Sequence, residues 1–199
     1  VWFGTSRGPV QKQLEAVDSL ERKRVKPSLA VDIPISATSG IISSLFGVKG
    51  PNMTLSATCC SGGFALAEAC HALVSGRSDL ALVAAAEACV HPVVLSQMQS
   101  AGMLTKEDGQ PNAGCVPFSP SRTGTTLGEG AASVILTRAS FAKEAGLKPT
   151  GYILGWDTAT DSHSRTLSDH EGNSLSESIS RTIKMSGINM DQIDLVSPH

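Results

Sequence analysis

The sequence predicts an α/β fold built on parallel strands. Short apolar segments with the two-residue period of a strand alternate along the chain with longer segments of helical period. Residues 53–57, 61–75 and 80–86 read in turn as strand, helix and strand, a βαβ unit that the general rule for parallel crossovers makes right-handed. With 199 residues the chain is one large domain or two small ones, long enough to bury a core.

The elements follow in order. Val1-Trp2-Phe3-Gly4 reads as a buried strand, and residues 9–23 as a helix with Val10, Leu14, Val17 and Leu20 on one stripe. Ser36 to Phe46 reads as a second helix, rich in small residues. Met53-Thr54-Leu55-Ser56-Ala57 alternates large apolar with small or polar residues, as a strand does. The run from Phe64 to Val74 consists of good helix formers and stops at Gly76. A strand over 80–86 follows. Residues 102–127 hold Gly102, Gly109, Pro111, Gly114, Pro117, Pro120 and Gly124, which predict a long irregular loop of a kind that is often functional. A strand over 131–137, a helix over 138–146 and a strand over 151–157 come next, then a polar, turn-rich stretch over 158–173. Ser174-Leu175-Ser176-Glu177 reads as a capping box that opens a helix to Ser186, with Leu175, Ile179 and Ile183 on its buried stripe and Gly187 as its stop. Ile193 to Val196 reads as a last strand, with His199 just beyond its end.

Composition excludes several function classes. The net charge is −2 with no basic block and the aromatic content is 4%, which argues against a nucleic-acid partner. No apolar run reaches membrane-spanning length, and the start lacks the basic region of a signal peptide. The cysteines are Cys59, Cys60, Cys70, Cys89 and Cys115. Their odd number, their apolar surroundings and the absence of Cys-x-x-Cys spacing read as free thiols in a reducing cytoplasm. A Cys59–Cys60 bridge would need a strained eight-membered ring. No pair of histidines has the helix-face spacing of zinc ligands. Gly124 to Gly130 lacks the Lys-Ser/Thr ending of a phosphate loop and does not follow a strand. No metal and no cofactor is therefore expected.

The segment Thr58-Cys59-Cys60-Ser61-Gly62-Gly63 lies where the strand becomes the helix. A thiol at such a junction meets free backbone N–H groups and the positive end of a helix dipole, both of which favour the nucleophilic thiolate. Gly62 and Gly63 let a substrate approach the backbone, and the presentation is akin to a nucleophile elbow. Cysteine is also among the most buried residue types, so the local pattern alone leaves inert packing open.

The wider run from Gly50-Pro51 to Gly63 resembles the active-site segment of the β-ketoacyl synthases, condensing enzymes of the thiolase superfamily, whose pattern is Gly-Pro, a short strand, then Thr-Ala-Cys-Ser-Ser-Gly. Leu80 to Glu87 looks like the strand that ends in Gly-Gly-x-Glu, with Ala85 and Ala86 for the glycines. Pro117-Phe118-Ser119-Pro120-Ser121-Arg122-Thr123-Gly124 resembles Pro-Phe-Asp-x-x-Arg-Asp-Gly, with Ser119 and Thr123 for its two acids. Gly128-Glu129-Gly130-Ala131 matches Gly-Glu-Gly-Ala, and Val196-Ser197-Pro198-His199 looks like the segment that ends in the first catalytic histidine.

The resemblance implies a thiolase-like layered fold of helices and mixed sheets, incomplete in this chain: residues 1–137 as an N-terminal half lacking its first strands, and 138–199 as the start of a C-terminal half. A family member begins earlier and continues through a second histidine and a Gly-rich segment, so the rest is expected from a longer polypeptide or a partner chain. The chain alone is then expected to lack full condensing activity.

By the same resemblance, Cys60 is the nucleophile and part of the oxyanion hole, and His199 is one of two enolate-stabilising histidines. The reaction implied is decarboxylative condensation of an acyl thioester with malonyl-acyl carrier protein, in fatty-acid or polyketide synthesis. The implied partners are the acyl carrier protein and a second synthase subunit, as homodimer or heterodimer. Met98 aligns with acyl-tunnel residues, with ordinary packing as the equal alternative. Glu87 and Glu129, in small or apolar surroundings, read as structural carboxylates paired or bonded to backbone. His71 reads as packed or on the surface, His91 as a loop residue, His163 as matching a family loop without a catalytic role, and His170 as solvated. A non-catalytic partner subunit of the chain-length-factor kind is the alternative. It is opposed by the retained Cys60 and favoured by the altered Ser119 and Thr123. Thiolase proper is disfavoured by the Gly-Glu-Gly and Pro-Phe segments.

Overall fold

The computed structural model describes residues 1–106, 114–162, 164 and 168–199. They fall into two compact units: Val1–Ala69 with Leu80–Leu136, and Cys70–Asp79 with Thr137–His199.

The first unit is organised by a four-stranded sheet. Its strands are β1 (Trp2–Gly4), β2 (Met53–Leu55), β3 (Leu80–Glu87) and β4 (Gly130–Thr137, of which the last residue groups with the second unit), in the order β2-β1-β3-β4. β1 runs parallel to both neighbours, with Trp2 opposite Met53 on one side and Val83 on the other. The strands of the expected βαβ unit are thus not adjacent; β1 lies between them. That central place explains why every residue of β1 is buried: a strand paired on both edges and covered on both faces reads as a continuous apolar run.

Helices α1 (Val10–Glu21), α2 (Leu29–Asp32) and α3 (Ala37–Phe46) connect β1 to β2. Helix α4 (Ser61–Val74) follows β2, and α5 (Pro92–Ser100) follows β3. Ser39 is buried in α3 and ties that helix to β2: its hydroxyl accepts from Thr54 Oγ1 at 2.8 Å, and its carbonyl accepts from Asn52 Nδ2 at 3.1 Å. A second apolar cluster joins Cys89, Val94 and Met98 to Val10, Leu104 and Leu127. The loop expected over 102–127 is irregular where described. It is clasped by a bridge between Leu104 and Thr125, with Gly109 and Pro111 outside the described residues.

The second unit holds α6 (Ala139–Glu144), α7 (Asn173–Ser186) and a single 3-10 turn at Met190–Gln192. Arg181 donates to Asp157 through Nε at 3.0 Å and Nη2 at 2.8 Å, and pairs with Glu177 at 2.7 Å. Trp156 Nε1 donates to His71 Nε2 at 3.2 Å, with the rings edge to face, so His71 packs at the surface. His170 is exposed.

Several sequence expectations need correction. The strand expected over 53–57 ends at Leu55, because the chain then turns to start α4. Helices α2 and α5 were not expected. Residues 151–157 and 193–196 form no strand: a strand exists only with a hydrogen-bonded neighbour, and none of the described residues supplies one. Leu195 is 83% exposed accordingly. The capping box at Ser174 does not form, since α7 starts two residues earlier, with Gly172 at the N-cap position. Asp169 takes over, accepting the N–H of Glu171 at 3.1 Å and of Asn173 at 3.2 Å. Those two backbone bonds hold its carboxyl below the usual range. The stripe expected to be buried on α7 is half-buried at Ile183 and exposed at Leu175 and Ile179, and neither α1 nor α7 has a fully buried residue.

Candidate active site

The turn between β2 and α4 presents two thiols. Thr58 sits in the left-handed region at φ +48°, which for a β-branched residue costs roughly 1–2 kcal/mol. Cys60 N–H donates to Ala57 O at 3.0 Å, and Ser61 N–H donates to Thr58 O at 3.2 Å. The Cys60 carbonyl accepts from Phe64 N–H at 3.0 Å, the first bond of the helix. Cys60 is therefore the residue from which α4 springs. The Ser61 side chain, 3% exposed, accepts from Ala57 N–H at 2.9 Å and donates to Thr58 O at 2.6 Å. Two such bonds, about 1 kcal/mol each, offset the strain at Thr58.

The backbone behind this turn has no room to spare. A Cβ on Gly4, at the end of β1, would lie 2.5 Å from the Ser61 carbonyl oxygen and 2.7 Å from Gly62 N. One on Gly62 would lie 3.1 Å from the Ala85 methyl of β3. The first turn of α4 is thus wedged against the ends of the two central strands. That close fit fixes the start of α4, whose first N–H groups lack intrahelical partners.

Among the cysteines, all free, Cys59, Cys60 and Cys115 are exposed and Cys70 and Cys89 are buried. Burial pushes the Cys70 thiol up, and burial followed by the Glu87 charge pushes up Cys89. Burial thus favours the protonated thiol at both.

The carboxylates singled out in the sequence hold backbone. Glu87 accepts from Ser6 N–H at 2.6 Å and Arg7 N–H at 3.2 Å, fixing the exit from β1. Glu129 accepts from Val90 N–H at 2.8 Å. His91, expected in a loop, caps α5: its Nδ1 accepts from Val93 N–H at 3.2 Å, with Pro92 opening the helix. The residues at the two altered acid positions make local loop bonds. Thr123 Oγ1 accepts from Lys106 N–H at 3.1 Å, and Ser119 Oγ lies 2.8 Å from Ser121 Oγ. Met98 is packed in the apolar cluster with Cys89 and Val94. His199 is exposed at the end of the second unit, whereas Cys60 belongs to the first. His163 lies outside the described residues.

Residues 1–142 match the family model of the β-ketoacyl synthase N-terminal domain. The chain belongs to the β-ketoacyl synthase family. Among its relatives is a mitochondrial 3-oxoacyl-acyl-carrier-protein synthase of Arabidopsis thaliana, 26% identical across 100% of this chain and 44% of that protein. A solved β-ketoacyl synthase from Burkholderia phymatum is similar at a TM-score of 0.82 and 21% identity, over 96% of this chain and 47% of that one. A type II polyketide ketosynthase, solved with its acyl-carrier protein, is similar at a TM-score of 0.85 and 20% identity, over 94% and 49%. The fold is thus the α/β thiolase-type fold of ketosynthases. The chain spans about half the length of the relatives it matches.

Ser61 and Gly4 are the site residues that the sequence alone did not single out. Ser61 stood out only as the first residue of a helix, and Gly4 only as the end of a strand. Gly4 matters through a contact with a segment more than fifty residues away, which no local pattern reveals, whereas Ser61 bonds within its own turn.

Proposed function

We propose that this chain acts in decarboxylative condensation of an acyl thioester with malonyl-acyl carrier protein, in fatty-acid or polyketide synthesis. The observation that supports it most directly is an exposed Cys60 at the start of α4, within the Thr-Cys-Cys-Ser-Gly-Gly turn of a family member. The Cys60 thiolate attacks the acyl carbonyl. The tetrahedral oxyanion is held by backbone N–H groups at the helix start, including that of Cys60. The carrier thiolate leaves, and the acyl group stays on Sγ. A malonyl thioester then loses CO2, and its enolate attacks the acyl-Cys60 carbonyl. Cys60 departs as thiolate, leaving a 3-oxoacyl thioester.

His199 is assigned to donate a hydrogen bond to the malonyl thioester oxygen where enolate charge develops. Met98 is assigned to the wall of the acyl tunnel, which its apolar cluster suits. Residues 1–137 are read as the N-terminal half and 138–199 as the start of the C-terminal half. The partner is an acyl carrier protein, as a solved relative bound to its own supports, and a second synthase subunit completes a dimer. Free, exposed thiols support a reducing compartment, the cytoplasm in this reading, while relatives include mitochondrial and chloroplastic proteins. The retained Cys60 favours this reading over a non-catalytic partner subunit.

The test is product formation from acyl- and malonyl-carrier protein by the polypeptide as encoded, flanks included. Cys60→Ala should abolish both acyl transfer and product. His199→Ala should leave acyl transfer and lower condensation by about a hundred- to a thousand-fold. Condensation by the Cys60→Ala protein would overturn the assignment.

A further inference from the structure

We infer that Ser61 is a positioning residue for Cys60, which rests on the reading of Cys60 as the nucleophile. Its buried hydroxyl ties the helix end of the turn that presents the thiol to the strand end: it accepts from Ala57 N–H at 2.9 Å and donates to the Thr58 carbonyl at 2.6 Å. Thr58 is the point at which this turn can fail. It lies at φ +48°, and a β-branched residue free to relax leaves that region for extended backbone. An extended Thr58 would swing Cys59 and Cys60 away from the helix start.

The geometry also says which way the turn would move. On the side of β1 the Ser61 carbonyl stands 2.5 Å from where a Gly4 Cβ would be, so the turn has no space to settle inward. Released from the Ser61 hydroxyl, it moves outward, toward solvent, taking Cys60 from the N–H groups of the first turn. The backbone bond from Ser61 N–H to Thr58 O survives loss of the side chain, but at 3.2 Å it is the longer of the two contacts to that carbonyl. Ala57 N–H loses the partner it has in the Ser61 hydroxyl. Ser61 thus acts through Cys60 and touches no reacting atom.

The experiment follows limiting iodoacetamide labelling near neutral pH, cysteine by cysteine, by peptide mass mapping. It uses the intact polypeptide and its Ser61→Ala and Ser61→Thr variants. Cys115, exposed in the loop, is the internal control; buried Cys70 and Cys89 report on the fold. Ser61→Ala should lower the Cys60-to-Cys115 rate ratio by about tenfold with Cys70 and Cys89 still protected, and Ser61→Thr, which keeps the hydroxyl, should restore most of it. An unchanged ratio in Ser61→Ala would overturn the inference. So would a fall accompanied by labelling of Cys70 and Cys89 in both variants, which would make Ser61 a residue of the fold. A wild-type Cys60 no faster than Cys115 would instead sink the nucleophile reading, whatever the variants do.

Discussion

Cys60 was legible in the sequence because its neighbours in the chain are also its neighbours in space: strand, turn and helix follow within a few residues. Gly4, which backs the turn, was not. Gly4 abuts the Ser61 carbonyl across more than fifty residues of chain, and only the sheet order, with β1 in the centre, brings them together. A Gly4→Ala substitution should therefore act at a distance. It sets a methyl against backbone that cannot yield, and it should cost about 1–3 kcal/mol in a denaturant titration while slowing Cys60 labelling. Glu87→Ala should cost a similar amount, about 1–3 kcal/mol, because Ser6 and Arg7 lose the acceptor that fixes the exit of β1. A denaturation midpoint unchanged from wild type would show that water serves those two N–H groups equally well. The sequence reading had Glu87 as structural from its apolar surroundings; which backbone it holds needed the fold.

Elements with their own local code were read well, and elements that depend on a partner were not. Helix α4 lies within a residue of its expected span, since good helix formers run unbroken to a glycine stop. Residues 151–157 and 193–196 have strand-like composition, but alternation fixes a face and not a neighbour, and no described strand pairs with them. Helix α5 was not expected, and His91 was read as a loop residue; Pro92 opens the helix and His91 caps it. His91→Ala should lower stability by about 1 kcal/mol, measured by chemical denaturation.

Helix α7 makes a pH-dependent contact. Arg181 donates to Asp157, with Ser178 also bonding, and these hold the Asp157 carboxyl below its ordinary value. A depressed carboxyl contributes stability above its unfolded value and loses it as pH falls through the folded one. Urea midpoints of wild type and Asp157→Asn should therefore differ at neutral pH and converge as the pH falls below about 4. A difference independent of pH would mean that the pair does not anchor α7.

At the scale of the molecule, several ordered motifs made the family readable from sequence, and the match over residues 1–142 establishes it. The division of the chain into two units was beyond local patterns, because residues 70–79 sit mid-chain yet group with 137–199. The proposed reaction passes through an acyl-enzyme at Cys60. The direct measurement is intact-mass and peptide mapping after exposure to an acyl thioester of carrier protein. One acyl mass increment is expected, located on the peptide containing Cys60 and absent from Cys60→Ala. An increment that maps to Cys59 or Cys115, or that persists in Cys60→Ala, would contradict it.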